Sequence, residues 1–166
     1  MASPHPQPID LKLLEQTSLK AQHSDRKRIN HNFHDYEDAI QRFLNAIEPE
    51  SYIRPHRHAE PMRDEIFLVL KGSGAVLIFD RDGTITAIHL LELSLGFWGI
   101  DIPGGTYHTI ISREKGSVFY EIKQGPFNPE APKGFAPWAP VEGTEEADTY
   151  LQHLQQAVSQ FKESLK

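Results

Sequence analysis

The chain has 166 residues, 39% of them hydrophobic and 24% charged, a balance typical of a single globular domain with a sizeable core. Its net charge is −6 and it contains no long basic run, which argues against nucleic acid as a partner. It has no cysteine, so disulfides and thiolate ligands are excluded, and any metal must be bound by imidazole and carboxylate groups. No apolar segment reaches the length of a bilayer span and no signal peptide is recognisable, so we expect a cytoplasmic location and no membrane partner.

The N-terminal part is predicted to begin with a proline-containing flexible tail over residues 1–8. Leucines near helical spacing then predict a short helix over residues 9–22. Residues 25–34 follow as an edge strand or an extended arm. From this segment Arg28, Asn32 and His34 could point into a pocket, the alternative being a solvated basic face.

Residues 35–47 are predicted to form a second, amphipathic helix. Asp35 is a favourable N-cap, and Pro49 lies where the helix would stop. The apolar stripe of this predicted helix comprises Ala39, Ile40, Phe43, Leu44 and Ile47.

Four residues of metal-ligating type are placed at predicted strands or turns. On an extended chain His56 and His58 leave the same face, and Glu65 opens the next apolar run. Pairing of that run beside the histidine strand would bring Glu65 to both imidazoles. A Pro-Gly-Gly turn then delivers His108 at the start of a later strand. Three imidazoles and one carboxylate form a ligand set that divalent transition metals accept.

From Glu65 onward the chain is predicted to form a β-meander that builds a sandwich or barrel, because short apolar segments alternate with turn signals. The predicted strands are residues 66–70, 75–79, 84–91, 100–102, 107–112 and 117–124. A proline-rich segment, residues 125–140, is predicted to be an ordered strap without regular structure. Its anchors on the barrel would be Phe127, Phe135 and Trp138.

A long amphipathic helix is predicted over residues 145–166. We expect its apolar stripe to pack on the chain's own barrel. The alternative is that the stripe forms the surface of a homodimer or binds another partner, because an apolar helix face must be covered.

The spacing of the candidate ligands resembles the two signature motifs of the cupin superfamily. His-x-His, a glutamate and a glycine after the next strand match the first motif, and Pro-x-Gly-x-x-His matches the second. By this match His56, His58, Glu65 and His108 correspond to the family's metal ligands. Six residues separate His58 from Glu65 where many cupins have three or four, which implies a longer loop at the mouth of the site. Ser112 also stands where the second motif often ends in asparagine.

The resemblance implies a mainly β, single-domain cupin, that is, a double-stranded β-helix or jelly-roll barrel. Residues 9–142 would form this domain, with flanking N-terminal helices, and residues 143–166 the C-terminal helix. The surrounding sequence resembles the WbuC-type cupin-fold metalloproteins from about Leu11 to Glu142. That closer resemblance is carried by residues 28–34, 52–58, 121–129 and 135–142. It implies a bacterial protein that binds one divalent metal and is often encoded among genes for surface polysaccharides, but it supplies no reaction.

The ligand set suits Fe, Mn, Ni, Co, Cu or Zn, and ligand softness does not choose among them. Side chains that could orient the ligands or an anionic substrate are Arg54, Arg57, Tyr107 and Tyr120. Three functions remain open, and no catalytic residue is assigned. The first is a metal-dependent enzyme acting on a sugar-like substrate, either an isomerase or epimerase or an Fe(II)-dependent dioxygenase. The second is a non-catalytic module that binds a sugar or organic acid, and the third is a metal-free epimerase with a His–carboxylate dyad.

Overall fold

Strands dominate the computed structural model, which describes residues 5–59, 61–127 and 134–166. Within this part of the chain, two antiparallel sheets of five strands face each other and two α-helices pack outside them. This is the predicted jelly-roll cupin fold. The helices are α1 (Leu11–His23) and α2 (Glu145–Ser164). The strands are β1 (Arg28–Asn32), β2 (Ile40–Ile47), β3 (His56–Arg57), β4 (Glu65–Lys71), β5 (Ser73–Phe79), β6 (Ile85–Glu92), β7 (Gly99–Ile102), β8 (Tyr107–Ser112), β9 (Ser117–Gln124) and β10 (Gly134–Phe135).

The strand order contradicts the predicted meander. Sheet I has the order β1-β2-β9-β4-β7 and sheet II the order β10-β3-β8-β5-β6, so the chain changes sheets between most consecutive strands after β4. Gly72 makes the first of these changes, with a φ of 74°. A side chain there would also collide with Ser117, so this turn requires glycine. Turn signals locate the ends of strands, but they do not show which sheet the next strand joins.

Residues 40–47 form the strand β2, so the second predicted helix is wrong and the fold has one N-terminal helix, α1. β2 pairs with β1 on one side and with β9 on the other, and it is buried on both faces over its second half. Leu44 and Ala46 face outward and pack against Leu14 and Ala21 of α1. Two-sided burial hides the alternation of a strand, and the remaining apolar positions happened to match helical spacing.

α2 packs on the outer face of sheet II, as expected for a helix that covers its own barrel. Thr144 caps its N-terminus by accepting a hydrogen bond from the backbone of Ala147. Leu151, Leu154 and Val158 are buried against the outward-facing side chains of β5 and β8. Neither helix of the described structure has the length and apolar composition needed to cross a membrane.

The segment after β9 contains the two-residue strand β10, which pairs with β3 and thus departs from the predicted absence of regular structure. Trp138 packs on Phe79 with ring centroids 5.0 Å apart, in line with its predicted anchoring role. Phe127 and Phe135 each remain more than a third exposed. Residues 128–133 of this segment, like residues 1–4 of the predicted tail, lie outside the described residues.

The space between the sheets changes from apolar to polar along the strands. One end is filled by an apolar cluster that includes Ile47, Val69, Ile110 and Phe119. Two to four residues further along the same strands, the inward positions are taken by Asn45, Glu65, His108 and Glu121. The polar end of the barrel is therefore the place for a functional site.

Candidate metal centre and its cavity

The four candidate ligands converge at the polar end of the barrel. One possible ligand atom from each of His56, His58, Glu65 and His108 can be chosen so that all four lie within 4.8 Å of one another. His56 lies directly opposite His108 in the pairing of β3 with β8. Glu65 reaches the histidines from the opposite sheet, because β4 pairs with β7 and β9 rather than beside β3 as the sequence suggested.

Backbone carbonyls fix the orientation of two imidazoles. His56 Nδ1 donates to the Arg54 carbonyl at 3.0 Å, and His108 Nδ1 donates to the Thr106 carbonyl at 2.9 Å. A carbonyl oxygen only accepts hydrogen bonds, so both Nδ1 atoms carry the proton. In the neutral ring the Nε2 atom is then an unprotonated lone-pair donor, which is the form that binds a metal.

The contact between His108 and Glu65 requires a positive charge. His108 Nε2 lies 2.8 Å from Glu65 Oε2 inside the barrel. With Nδ1 protonated, a neutral His108 would present a lone pair to a carboxylate oxygen, and the two acceptors would repel. A second proton on the ring, or a bound cation accompanied by a small separation of the two groups, removes this repulsion.

The remaining properties of the cluster fit a divalent cation. His58 Nε2 is buried without a hydrogen-bond partner, and it lies 3.6 Å from Glu65 Oε1. Burial, reinforced by the neighbouring His108, lowers the pKa of His56 to about 3, so this ring is neutral. Burial opposes ionisation of Glu65, but its hydrogen bond with His108, the nearby His58 ring and the charge of Lys123 hold its pKa well below the usual range. Neutral imidazoles and an ionised carboxylate are the states required for metal binding.

A second polar network, missed by the sequence reasoning, lies beside the cluster. Lys123 Nζ donates to Glu121 Oε1 at 2.9 Å and lies 3.6 Å from Glu65 Oε1. Asn45 Nδ2 donates to Glu121 Oε2 at 2.9 Å. Burial raises the pKa of Glu121, whereas the two carboxylates outweigh burial and raise that of Lys123. The signal was present in the sequence, because Glu121 and Lys123 follow the buried Phe119 at steps of two along β9 and so share its inward face.

These groups open into a cavity of about 570 Å³. Of the other candidates from the sequence, Arg28, Arg54 and Arg57 line it. Arg26 and Arg28 both bind Glu142 at its edge, with distances of 2.7 to 2.8 Å.

Four other candidates do not contribute to the cavity lining. Tyr107 and Tyr120 occupy outward positions of β8 and β9, where they pack beside Trp138 and Phe33. His34 is buried elsewhere, with its Nδ1 accepting a hydrogen bond from the backbone of Arg42 at 2.9 Å. Asn32 is exposed at the end of β1. Since His108 and Glu121 face inward, the period of two along a strand turns both tyrosines away.

Residues 9–91, half of the chain, match the family described as Domain of unknown function (DUF6016). The chain belongs to this family. No curated protein matches the sequence significantly.

Among solved structures similar to this DUF6016 chain, two with a TM-score of at least 0.50 share its fold. The capsular polysaccharide assembling protein CapF from Staphylococcus aureus is 22% identical with a TM-score of 0.56, and the match covers 68% of this chain but only 30% of CapF. TT1209 from Thermus thermophilus is 17% identical with a TM-score of 0.50, and the match covers 72% of this chain and 97% of TT1209. A cupin-2 domain containing protein from Shewanella frigidimarina is 20% identical over 58% of this chain and 80% of its own, with a TM-score of 0.43. The two antiparallel sheets and two helices of the described structure are consistent with the single-domain, cupin-like jelly-roll fold that was predicted, while the closer WbuC-type resemblance stays a prediction.

Proposed function

We propose that the protein binds one divalent transition metal ion through His56, His58, Glu65 and His108, and that the adjoining cavity binds a small, polar, sugar-like ligand. The observation that carries the proposal is the convergence of four ligand atoms within 4.8 Å, drawn from both sheets. The unpartnered Nε2 of His58 at the same place supports it. Fe, Mn, Ni, Co, Cu and Zn all suit this ligand set.

The polar nature of the ligand is supported by the distribution of unpartnered atoms. Five buried side-chain atoms of the described structure have no hydrogen-bond partner, and four of them belong to residues that line the cavity. These four are Asn45 Oδ1, Arg54 Nε, His58 Nε2 and Arg63 Nε. Buried polar groups are rarely left without partners, so a concentration of them around one cavity favours a ligand with hydroxyl or carbonyl groups.

In this account the metal would supply Lewis-acid polarisation of an oxygen of the ligand. Glu65 acts as a metal ligand and not as a free base. Asn45 offers an acceptor for a ligand hydroxyl, and Lys123 holds Glu121 in place on the same wall. These roles suit an isomerase or epimerase, and they equally suit a binding module without turnover.

A role in surface polysaccharide biosynthesis is part of the proposal. It is supported by the resemblance to the WbuC-type proteins and by the shared fold of CapF, which is described as a capsular polysaccharide assembling protein.

Incubation with keto-sugars under aerobic and anaerobic conditions separates the possible activities. Turnover in both conditions identifies an isomerase or epimerase, and oxygen-dependent turnover identifies an Fe(II) dioxygenase. Ligand binding without turnover identifies a module.

A second candidate is a metal-free epimerase, favoured by the 2.8 Å contact between His108 Nε2 and Glu65 Oε2. A doubly protonated His108 would satisfy this contact without a cation, and the pair could then exchange a proton with a bound sugar.

Metal analysis of protein purified without a histidine tag separates the two candidates. We expect about one equivalent of a transition metal per chain, and at least a tenfold loss in His58→Ala and His108→Ala. The matched control is His89→Ala, which removes an exposed histidine of β6 and should leave the metal content unchanged. A stable, metal-free protein that turns over a sugar substrate would overturn the metal proposal in favour of the dyad.

A further inference from the structure

Among the described residues, the cavity is lined by more basic than acidic side chains, although the chain carries a net charge of −6. The basic residues are Arg26, Arg28, Arg54, Arg57, Arg63 and Lys123, and the acidic ones are Glu65, Glu121 and Glu142. This excess of basic side chains is unexpected in an acidic protein, and it indicates that the cavity favours a negatively charged ligand.

Most of these cations already have partners. Arg26 and Arg28 bind Glu142, and Lys123 binds Glu121. The guanidinium of Arg57 lies over the Tyr107 ring, 4.8 Å from its centroid. Arg54, Arg57 and Arg63 have no carboxylate partner among the described residues. Of these three, Arg54 and Arg63 each have a buried Nε without a hydrogen-bond partner.

The guanidinium groups of both residues have unused donors. Arg54 Nη2 donates to the Ala136 carbonyl at 3.1 Å and its guanidinium lies 5.1 Å from the centroid of Phe135, but its Nε is buried without a partner. Arg63 Nε is likewise buried without a partner. A buried guanidinium N–H without an acceptor is costly unless an acceptor from outside the chain completes it.

Backbone contacts place both arginines next to the metal-ligand cluster. The Arg54 carbonyl accepts the hydrogen bond from His56 Nδ1, and the backbone N–H of Arg63 donates to the His58 carbonyl at 3.4 Å. A ligand held by these arginines would thus lie beside the four candidate metal ligands. The cavity of about 570 Å³ is within the range that accommodates a small organic molecule.

We infer that the ligand of this site carries an oxyanion, either a carboxylate or a phosphate, and that Arg54 and Arg63 bind it. The guanidinium fork matches both groups geometrically, and charge-assisted hydrogen bonds of this kind are the strong ones. The inference rests on the proposed function, which places the sugar part of the ligand in the cavity. It narrows the ligand class from sugar-like molecules to sugar acids or sugar phosphates.

Calorimetric titration of the metal-loaded protein with glucose, glucuronate and glucose 6-phosphate tests the inference, because the three probes share one ring. We expect at least one charged sugar to bind tenfold or more tightly than glucose, and its identity tells carboxylate from phosphate. Arg54→Gln and Arg63→Gln should each reduce this preference about tenfold while the metal content stays at the wild-type level. Arg81→Gln, at an exposed turn, is the matched control and should change nothing.

Equal binding of the three sugars, no binding of either charged sugar, or unchanged titrations in both arginine variants would overturn the inference. If Arg54→Gln unfolds the chain by losing its bond to Ala136, Arg63→Gln decides, since no side-chain hydrogen bond of Arg63 is seen within the described part of the chain. The same titrations on metal-free protein distinguish a failure of this inference from a failure of the metal proposal. An arginine-dependent preference for the charged sugar that persists in a protein unable to bind metal would support the inference while the metal proposal fails.

Discussion

Glu142 shows how a single carboxylate can join distant parts of the chain at the edge of the cavity. It accepts hydrogen bonds from Arg26 and from Arg28, which lie more than a hundred residues earlier. The Arg28 side chain is only 12% exposed, so its charge requires compensation, which Glu142 supplies. Burial alone would raise the pKa of Glu142, but the hydrogen bonds from the two arginines outweigh it and lower the pKa to about 2.

We expect Glu142→Gln to lower the free energy of unfolding at pH 7 by about 1 kcal/mol, a modest value because the Glu142 side chain is a third exposed. A depressed pKa in the folded state means that the ionised carboxylate stabilises the fold above its ordinary pKa of 4.5, and that this contribution is lost as the pH falls toward 2. Denaturant unfolding between pH 7 and pH 3 should therefore show the difference between wild type and variant shrinking below pH 4.5. Asp101→Asn, at an exposed carboxylate of β7, is the control. A difference that grows with acidity would contradict the assignment.

At the residue scale, the sequence was sufficient to identify His56, His58, Glu65 and His108 as a group, because each belongs to a local motif with its own turn or strand. It was not sufficient to choose the neighbours of the cluster. Tyr107 and Tyr120 were selected for their chemistry, although the period of two along β8 and β9 turns them outward. Counting in steps of two along β9 from the inward-facing Phe119 would have selected Glu121 and Lys123 as neighbours of the cluster. The same count from His108 along β8 would have excluded Tyr107.

At the scale of elements, the sequence predicted helices and strands well where clear signals such as caps and turns mark their ends. α1, β8, β9 and α2 were predicted close to their observed bounds, since each has clear caps, turns or a one-sided apolar face. β2 was mistaken for a helix because α1 covers one of its faces and the barrel interior the other. Residues 35–47, from which the helix was predicted, include neither α1 nor the strands that line the barrel interior. Whether this segment forms a helix or a strand therefore depends on tertiary contacts that its own sequence does not show.

The packing of α2 on its own barrel gives an element-scale prediction. Leu154 is fully buried, so Leu154→Ala should cost about 2–5 kcal/mol in the free energy of unfolding. Leu165→Ala, at a residue 55% exposed, should stay within about 0.5 kcal/mol of wild type. Both values come from denaturant unfolding at two protein concentrations. No effect of Leu154→Ala would contradict the packing of α2 on the barrel. A midpoint that rises with protein concentration would show that another chain covers the apolar face of α2.

At the scale of the whole molecule, the fold followed from the resemblance between two short motifs and the cupin pattern, whereas the strand order did not. A meander and a jelly roll have similar strands and turns, and they differ in which sheet each strand joins. That difference carries the functional argument, because Glu65 comes from sheet I, His56 and His108 come from sheet II, and His58 directly follows β3. A metal ion bound to all four would join the two sheets at the open end of the barrel.

The central claim is that these four side chains bind one ion, and anomalous diffraction from crystals of the untagged protein tests it most directly. We expect a single strong anomalous peak at the absorption edge of the native metal, about 2.0–2.2 Å from the three imidazole nitrogens and a Glu65 oxygen. A peak at another place in the protein would contradict the account. So would the absence of a peak among the four side chains in crystals grown with the metal in excess.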